Sequence, residues 1–407
     1  MNKRSLLLYL AALVCMLGAG AADAAWIGSW GASPLPPTPA SGRFAATPSF
    51  HDQTIRQIVR LSAGGDRVRL RLTNEYGTQP LEIGAASIAI VDADGEIRAG
   101  SERKVTFDGK PGATIPAGAP YLSDPIDLAV EPLTSISVSL YLPGDTGPCT
   151  CHSTGRQTAY ISKPGNFTTG SFEPAKTMQS RAFLSGVAVE TAGRAHVIVA
   201  LGDSITDGVG SMLDANRRWP DDLAERLAKR KRKGVWGVVN EGISGNRILR
   251  DGAGESALAR FDRDVLAVPG VSGVIVFEGI NDIGLGFGSF GGAAPAGGVT
   301  ADSLIAGLEQ IIARAHAKGL RIYGATITPY KGAAYYSEQG EAVREAVNQW
   351  IRKGGEFDGV LDFDAVLRDP ADPKQIAQGL HAGDHLHGSD KGYRALADSV
   401  NLGLFTK

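Results

Sequence analysis

Residues 197–208 read Val-Ile-Val-Ala-Leu-Gly-Asp-Ser-Ile-Thr-Asp-Gly. An apolar, β-branched run that stops at Gly-Asp-Ser predicts a strand covered on both faces, with Ser204 delivered to its carboxyl end. Ligands of open parallel sheets bind at that edge of the sheet, so Ser204 lies where chemistry is usually done. This stretch alone leaves a second interpretation open, in which Ser204 only caps the helix that follows.

Strands alternate with helices from residue 193 to the end of the chain, and this rhythm predicts a doubly wound α/β domain over 193–407. Five strands are predicted, so the domain should be built around a five-stranded parallel sheet. The four strands after the first are predicted at 235–239, 273–277, 321–328 and 360–363. The helices between and after them are predicted at 220–232, 256–268, 301–318, 338–353 and 390–402.

Residues 25–192 show a different pattern, in which apolar and polar residues alternate and no long helical period occurs. This pattern predicts an all-β domain, a sandwich or jelly roll, before the α/β domain. Residues 57–62 and 67–72, joined by the turn 64–66, are predicted to pair as a hairpin. Trp26 and Trp30 are large apolar surfaces near the start of this domain, and we expect them to pack at or near the domain boundary.

Composition excludes several function classes. The chain has 407 residues, 43% of them hydrophobic, and a formal net charge of -2, which gives no basic surface for nucleic acid.

Residues 1–24 combine a basic start, a short apolar stretch and small residues, which predicts a signal peptide and hence a secreted or periplasmic protein. No later segment is long and apolar enough to span a membrane, so none is expected to.

Cys149 and Cys151 are the two cysteines outside this leader. An exported protein meets oxidants, which favours a disulfide between them, but the ring would be short and strained. The sequence leaves both states open. Two such close thiols without further ligands make a poor structural zinc site.

Three later segments also lie just after predicted strands or close to one, and each carries polar groups. Residues 240–246 form a Gly-rich turn, residues 278–282 bring the amide of Asn281, and residues 381–387 read His-Ala-Gly-Asp-His-Leu-His. The carboxyl ends of parallel strands meet at one edge, so we expect these segments to lie near Ser204.

These four segments together resemble the blocks of the SGNH hydrolases, also called the GDSL lipase and esterase family. Residues 202–205 resemble the first block, 240–245 the second, 279–282 the third and 384–387 the Asp-x-x-His block. The resemblance covers residue 197 to the end and implies a flavodoxin-like fold. Ile205 and Gly388 depart from the family's usual Leu and Pro. The β-rich first domain also resembles the N-terminal domain of some exported members, with residues 26–30 and 73–77 as its recognisable pieces.

The resemblance implies a role for five residues. Ser204 is the implied nucleophile, His387 its base and Asp384 the group that orients the base, while Gly245 and Asn281 join the N–H of Ser204 as oxyanion donors. Elementary chemistry agrees, because a serine hydroxyl needs an imidazole to accept its proton and a carboxylate to fix the imidazole's tautomer. The Gly-x-Ser-x-Gly elbow of another hydrolase class is absent, since Thr206 stands at the last position.

Other polar residues allow competing interpretations. Asp203 and Asp282 are predicted to bond the backbone of their own turns. A metal cluster of His381, Asp384, His385 and His387 would leave Ser204 and its neighbours without a purpose, so we expect no metal and no cofactor. The remaining histidines outside these motifs are predicted to be structural or exposed. They are His51, His152, His196 and His316.

The predicted function is that of an exported serine esterase acting on a small-molecule or saccharide ester through an acyl-enzyme. Residues 284–298 follow Asn281 and contain few large apolar side chains, namely Leu285, Phe287 and Phe290, which predicts a preference for short acyl groups such as acetyl. An acetylated carbohydrate is the expected substrate, and a lipid esterase or lysophospholipase is the enzymatic alternative. The non-enzymatic alternative is a carbohydrate-binding or adhesion protein.

Overall fold

A computed structural model describes residues 24–41, 46–92, 95–230, 234–287, 298–354 and 356–406. The predicted signal peptide, apart from residue 24, lies outside the described residues. Residues 288–297, part of the segment from which the acyl preference is predicted, also lie outside the described residues.

The region before residue 192 is built from antiparallel strands. In several of them, such as 65–73 and 126–130, apolar residues alternate with polar ones, which gives the strand one buried face. The strands are β1 (Ala25–Gly31), β2 (Gln53–Arg60), β3 (Gly65–Thr73), β4 (Leu81–Ile83), β5 (Ala85–Val91), β6 (Arg103–Val105), β7 (Ala113–Ile115), β8 (Pro120–Leu122), β9 (Ile126–Val130), β10 (Ser135–Leu142), β11 (Cys151–His152), β12 (Ala159–Pro164), β13 (Pro174–Met178), β14 (Arg181–Ala182) and β15 (Leu184–Thr191).

These strands form two main sheets. One has the order β1-β15-β3-β8, with β9 also paired to β3, and the other has the order β13-β12-β2-β10-β5-β6. Two short pairs, β11 with β14 and β4 with β7, complete the region. The predicted largely antiparallel architecture is confirmed, but the predicted hairpin is wrong. Strands β2 and β3 belong to different sheets, because the turn at 61–64 passes the chain from one sheet to the other instead of folding it back.

The rest of the chain forms the predicted five-stranded parallel sheet. Its order is β17-β16-β18-β19-β20, so the first strand of the domain lies second from the edge, as in flavodoxin-like folds. The β-branched and apolar run of β16 is buried along its length from residue 197, since both faces of the sheet are covered. The strands are β16 (Ala195–Gly202), β17 (Val235–Gly242), β18 (Val271–Phe277), β19 (Arg321–Ala325) and β20 (Gly359–Leu361).

Helices connect these strands and begin at the capping residues that the sequence supplies. Ser256, Thr300, Ser337 and Ser389 each accept a hydrogen bond from a backbone N–H of the first turn. The helices are α1 (Ser204–Asp207), α2 (Trp219–Ala228), α3 (Ala257–Phe261), α4 (Ile280–Gly286), α5 (Ala301–Ala317), α6 (Glu338–Lys353), α7 (Phe363–Leu367) and α8 (Asp390–Ser399), with a π-helical turn (Asp262–Leu266) after α3 and a 3-10 turn (Leu402–Thr406) at the end. Within the described residues, no helix has the length and apolarity that crossing a membrane requires.

Strand β1 joins the two regions, because it pairs with β15 and packs against β17. The backbone N–H of Gly28 donates to the carbonyl of Pro269 across this contact, at 2.8 Å. Trp30 is buried there beside Pro220 and Val238, as expected for a tryptophan at the junction. Trp26 lines a cavity at the same junction and lies under the guanidinium of Arg69, 4.5 Å from the ring centroid.

The structure pairs Cys149 with Cys151 in a disulfide, which is the first of the two states that the sequence left open. Both cysteines are buried, and Cys151 begins the short strand β11. The disulfide therefore fixes the chain immediately before His152.

Candidate active site

The predicted nucleophile and base meet at the carboxyl end of β16. Nε2 of His387 lies 2.8 Å from the Oγ of Ser204, although the two residues are 183 positions apart in the chain. Nδ1 of His387 lies 2.5 Å from Oδ2 of Asp384. An ionised carboxylate only accepts, so Nδ1 carries the hydrogen and Nε2 is left to accept the hydroxyl proton of Ser204. The three side chains form one hydrogen-bonded chain.

Asp384 is held in its ionised form. Its partial burial opposes ionisation, but the hydrogen bonds from the ring and the backbone N–H of His387 outweigh burial and hold the pKa of Asp384 well below its usual range. Its Oδ1 also accepts from the backbone N–H groups of Leu386, at 3.1 Å, and His387, at 2.9 Å. The Asp-x-x-His spacing therefore lets one carboxylate bind both the ring and the backbone of the same residue.

Gly245 and Asn281 reach the same edge from β17 and β18. Gly245 has a φ of 84°, a left-handed conformation in which a larger residue would be strained. Its backbone N–H has no hydrogen-bond acceptor among the described residues, so it is available to a ligand. Nδ2 of Asn281 donates to the carbonyl of Asn246 at 3.0 Å, which uses one of its two hydrogens and leaves the other for a ligand.

The orientation of the Asn281 amide is fixed by a second contact. The hydroxyl of Tyr335 lies 3.4 Å from Oδ1 of Asn281, so the carbonyl end of the amide faces the tyrosine and the Nδ2 end faces Asn246. The ring of Tyr335 packs against Gly284, where a Cβ atom would lie 2.1 Å from the ring. Gly284 is therefore small because the aromatic ring occupies that space.

The two aspartates next to the site both accept hydrogen bonds from backbone N–H groups, and Asp203 does so within its own turn, as predicted. Oδ1 of Asp203 accepts from the N–H of Ile205 at 2.9 Å and caps α1. The two oxygens of Asp282 accept from the N–H groups of Ile248, at 2.7 Å, and Leu249, at 3.0 Å, so this carboxylate binds a distant loop, which the sequence did not predict. Burial raises the pKa of Asp203 to about 7 and that of Asp282 to about 6.

A buried arginine lies beneath these loops. Arg260, on α3, is fully buried, and the π-helical turn after it places Asp264 against its guanidinium, 3.0 Å away. The guanidinium also donates to Asn246 Oδ1 (3.0 Å), the carbonyl of Glu241 (2.7 Å), the carbonyl of Gly202 (3.0 Å) and Ser33 Oγ (3.2 Å). Arg260 thus ties the ends of β16 and β17 to the loop that carries Gly245.

The other histidines of the 381–387 segment, His381 and His385, are not part of the hydrogen-bonded chain from Ser204 to Asp384. Nδ1 of His381 accepts from the backbone N–H groups of Gly383 and His385, at 3.1 and 3.3 Å, and its ring stacks on that of His385. Burial lowers the pKa of His381. Across the described ranges, no three His, Cys, Asp or Glu side chains are placed to hold a metal ion.

Sequence reasoning missed several residues that shape the site. Arg260, Asp207 and Tyr335 gave no motif signal, and His152 was grouped with histidines outside any motif. The one local signal was the position of Arg260 on the otherwise apolar face of its helix. An arginine on such a face would be buried, and arginine is rarely buried without partners. The partners themselves lie far away in the chain and could not be read locally.

The fold and this arrangement define a class: a doubly wound α/β domain with a Ser-His-Asp chain at the carboxyl edge of its sheet. Residues 200–395 match the GDSL-like Lipase/Acylhydrolase family. This part of the chain is therefore assigned as a GDSL-like lipase/acylhydrolase domain.

Solved structures that resemble the chain cover about half of it. A putative lipolytic protein of the G-D-S-L family from Desulfitobacterium hafniense is 22% identical, with 50% of this chain and 96% of that chain covered and a TM-score of 0.37. An acetyl xylan esterase variant from Geobacillus stearothermophilus is 22% identical, with 52% and 95% covered and a TM-score of 0.40. A comparison with curated protein sequences gives no match.

Proposed function

We propose that this protein is a serine esterase that hydrolyses short-acyl carboxylic esters through an acyl-enzyme on Ser204. The hydrogen-bonded chain from Ser204 through His387 to Asp384 carries the proposal, at 2.8 and 2.5 Å. It has the order of groups that activates a serine hydroxyl.

In the proposed reaction, Oγ of Ser204 attacks the ester carbonyl carbon while its proton passes to Nε2 of His387. The resulting imidazolium is stabilised by the ionised Asp384. The negative charge on the former carbonyl oxygen meets the N–H groups of Ser204 and Gly245 and the free hydrogen of Asn281. The alcohol then leaves with the proton from His387, and water hydrolyses the acyl-enzyme by the same steps.

A mechanism-based label tests the nucleophile and the activity together. We expect a fluorophosphonate to inactivate hydrolysis of p-nitrophenyl acetate in proportion to labelling, and peptide mapping to place a single adduct on Ser204. An adduct on another residue, or full activity after complete labelling, would contradict the proposal.

The segment that follows Asn281 supports a preference for short acyl groups. Residues 284–298 contain few large apolar side chains, namely Leu285, Phe287 and Phe290. A long acyl chain needs a continuous apolar surface to gain from burial, and this segment offers little of it.

We therefore expect kcat/KM to be highest for acetyl to butyryl esters and to fall at longer chains. Full burial of six more methylenes would favour octanoyl over acetyl by about 5 kcal/mol, and a segment poor in apolar side chains forgoes that gain. Measurement along a p-nitrophenyl ester series tests this. A maximum at octanoyl or beyond would reverse the assignment and favour the lipid esterase.

We propose that the alcohol half of the ester is a carbohydrate. Two features support this proposal, namely the predicted export of the protein and its β-rich first region. Release of acetate from acetylated oligosaccharides should exceed release of fatty acid from a lysophospholipid. The opposite order would favour the lipid esterase, and binding of saccharide without turnover would favour the adhesion protein.

A further inference from the structure

A buried histidine from the β-rich region contacts the active-site loops. Nε2 of His152 lies 2.9 Å from Oδ1 of Asp207, and its Nδ1 lies 3.0 Å from the carbonyl oxygen of Ser33. The side chains of His152 and Asp207 are 6% and 3% exposed. Asp207 ends α1, the short helix that begins with Ser204.

The partners of His152 define its protonation. A carboxylate and a carbonyl oxygen can only accept, so both ring nitrogens must donate for both contacts to be hydrogen bonds. Burial by itself lowers the pKa of His152, but the adjacent Asp207 outweighs it, and the pKa is raised above its ordinary value. The positive charge of Arg218 opposes this upward shift of the pKa. His152 and Asp207 therefore form a buried ion pair with a fixed geometry.

Asp207 also binds the loop that carries Gly245. Its second oxygen, Oδ2, accepts from both the backbone N–H and the hydroxyl of Ser244, at 3.0 and 2.6 Å. Ser244 directly precedes Gly245. The orientation of the peptide that supplies the Gly245 N–H thus depends on where Asp207 is held.

Ser33 reaches the other side of the same loop. Its hydroxyl donates to Oε2 of Glu241 at 2.6 Å and accepts from Arg260 at 3.2 Å. Arg260 in turn donates to the side chain of Asn246 at 3.0 Å. The two neighbours of Gly245 are therefore each connected to the β-rich region, one through His152 and one through Ser33.

We propose that His152 is a positioning residue for the hydrolase reaction, which sets the oxyanion loop through Asp207 and Ser244. On this proposal the β-rich region completes the active site and is more than an independent binding module. The inference rests on the proposed function, because it assigns a purpose to the N–H of Gly245. A displacement of about 1 Å in a catalytic donor can lower the rate 100-fold. Loss of the His152–Asp207 contact should therefore be visible as a lower kcat.

The test compares kcat per active site in full-length variants. Fluorophosphonate labelling of Ser204 counts the competent sites, and p-nitrophenyl acetate gives kcat and KM. The variants are His152→Ala, the conservative His152→Gln, which can still donate to Asp207, and the matched control Ser62→Ala. Ser62 also bridges the two regions, since its hydroxyl accepts from the N–H of Val238 at 2.9 Å, but it lies away from the loop.

We expect His152→Ala to be labelled to completion, with kcat per labelled site about 10- to 100-fold below wild type and KM within about twofold. His152→Gln should fall between the two, and Ser62→Ala should match wild type per site. A merely structural role would reduce the number of labelled sites and leave kcat per site unchanged. If His152→Ala does not fold, the comparison of His152→Gln with wild type decides.

Two failures are distinguishable. An active wild-type enzyme labelled at Ser204, with kcat per site in the histidine variants within about twofold of Ser62→Ala, overturns the inference and leaves the proposed function intact. A wild-type protein without turnover or label at Ser204 overturns the proposed function, and the inference falls with it.

Discussion

Replacing Ser204 with alanine is expected to lower kcat for p-nitrophenyl acetate by at least about 10⁴-fold, without unfolding the protein. The hydroxyl is the atom that would form the acyl-enzyme, and its neighbours cannot replace it. Alanine removes one oxygen from a pre-formed strand end, so the fold should tolerate the change. Steady-state kinetics and thermal unfolding on the same preparation measure both effects.

Ser211→Ala is the matched control for this prediction. Ser211 lies in the same segment and its hydroxyl donates to the carbonyl of Gly208, at 2.7 Å, so the variant loses one hydroxyl without touching His387. We expect its kcat to stay within about threefold of wild type, because the hydroxyl that is lost does not bind His387. The lost neutral hydrogen bond should lower the stability of the fold by about 1 kcal/mol. Activity of Ser204→Ala within about tenfold of the parent would remove Ser204 as the nucleophile.

Much of the α/β domain could be predicted because its signals are local. The helix Glu338–Lys353 has the predicted bounds, since Ser337 caps its start and its amphipathic period runs unbroken. The strand that ends at Gly202 followed from a continuous apolar run. The Ser204, Asn281 and His387 segments could be expected to meet because parallel strands share one carboxyl edge.

In the β-rich region, local sequence signals predict the strands but not the sheet that each strand joins. Alternation of apolar and polar residues predicts that β2 and β3 are strands, but it carries no information on which sheet each joins. A tight turn between them reads equally as a hairpin or as a crossing between sheets. The structure shows the crossing, with β2 paired to β10 and β12.

The supports of the active site could not be predicted for a related reason. His152 contacts Ser33 across 119 positions and Asp207 across 55, and neither pair has a spacing that a motif would reveal. A histidine outside every motif has no local sign of an ionic partner. Such contacts depend on how the two regions pack, which the sequence pattern of either region does not specify.

Arg260→Met is the second variant with a large expected effect, here on stability. Arg260 donates to backbone carbonyls of two strand ends and to the carboxylate of Asp264, all of them buried. Removing one member of a buried ionic cluster leaves its partners without donors in a medium of low polarity, at a cost of about 3–5 kcal/mol. Methionine fills much of the volume, so the loss reports the missing donors more than a cavity.

Differential scanning calorimetry should show the Arg260→Met transition about 6–20 °C below wild type, since 1 kcal/mol corresponds to roughly 2–4 °C for a domain of this size. The control is Arg314→Met, which breaks a pair with the exposed Asp262 and a hydrogen bond to the carbonyl of Leu258 on the same domain. Because this arginine is partly exposed and its carboxylate partner is solvated, the loss should be about 1–2 kcal/mol. Equal shifts in the two variants would mean that the carbonyls and Asp264 find other partners. A larger shift in Arg260→Met, with reduced kcat in the folded fraction, would mean that the same guanidinium both stabilises the domain and holds Asn246 beside the oxyanion loop.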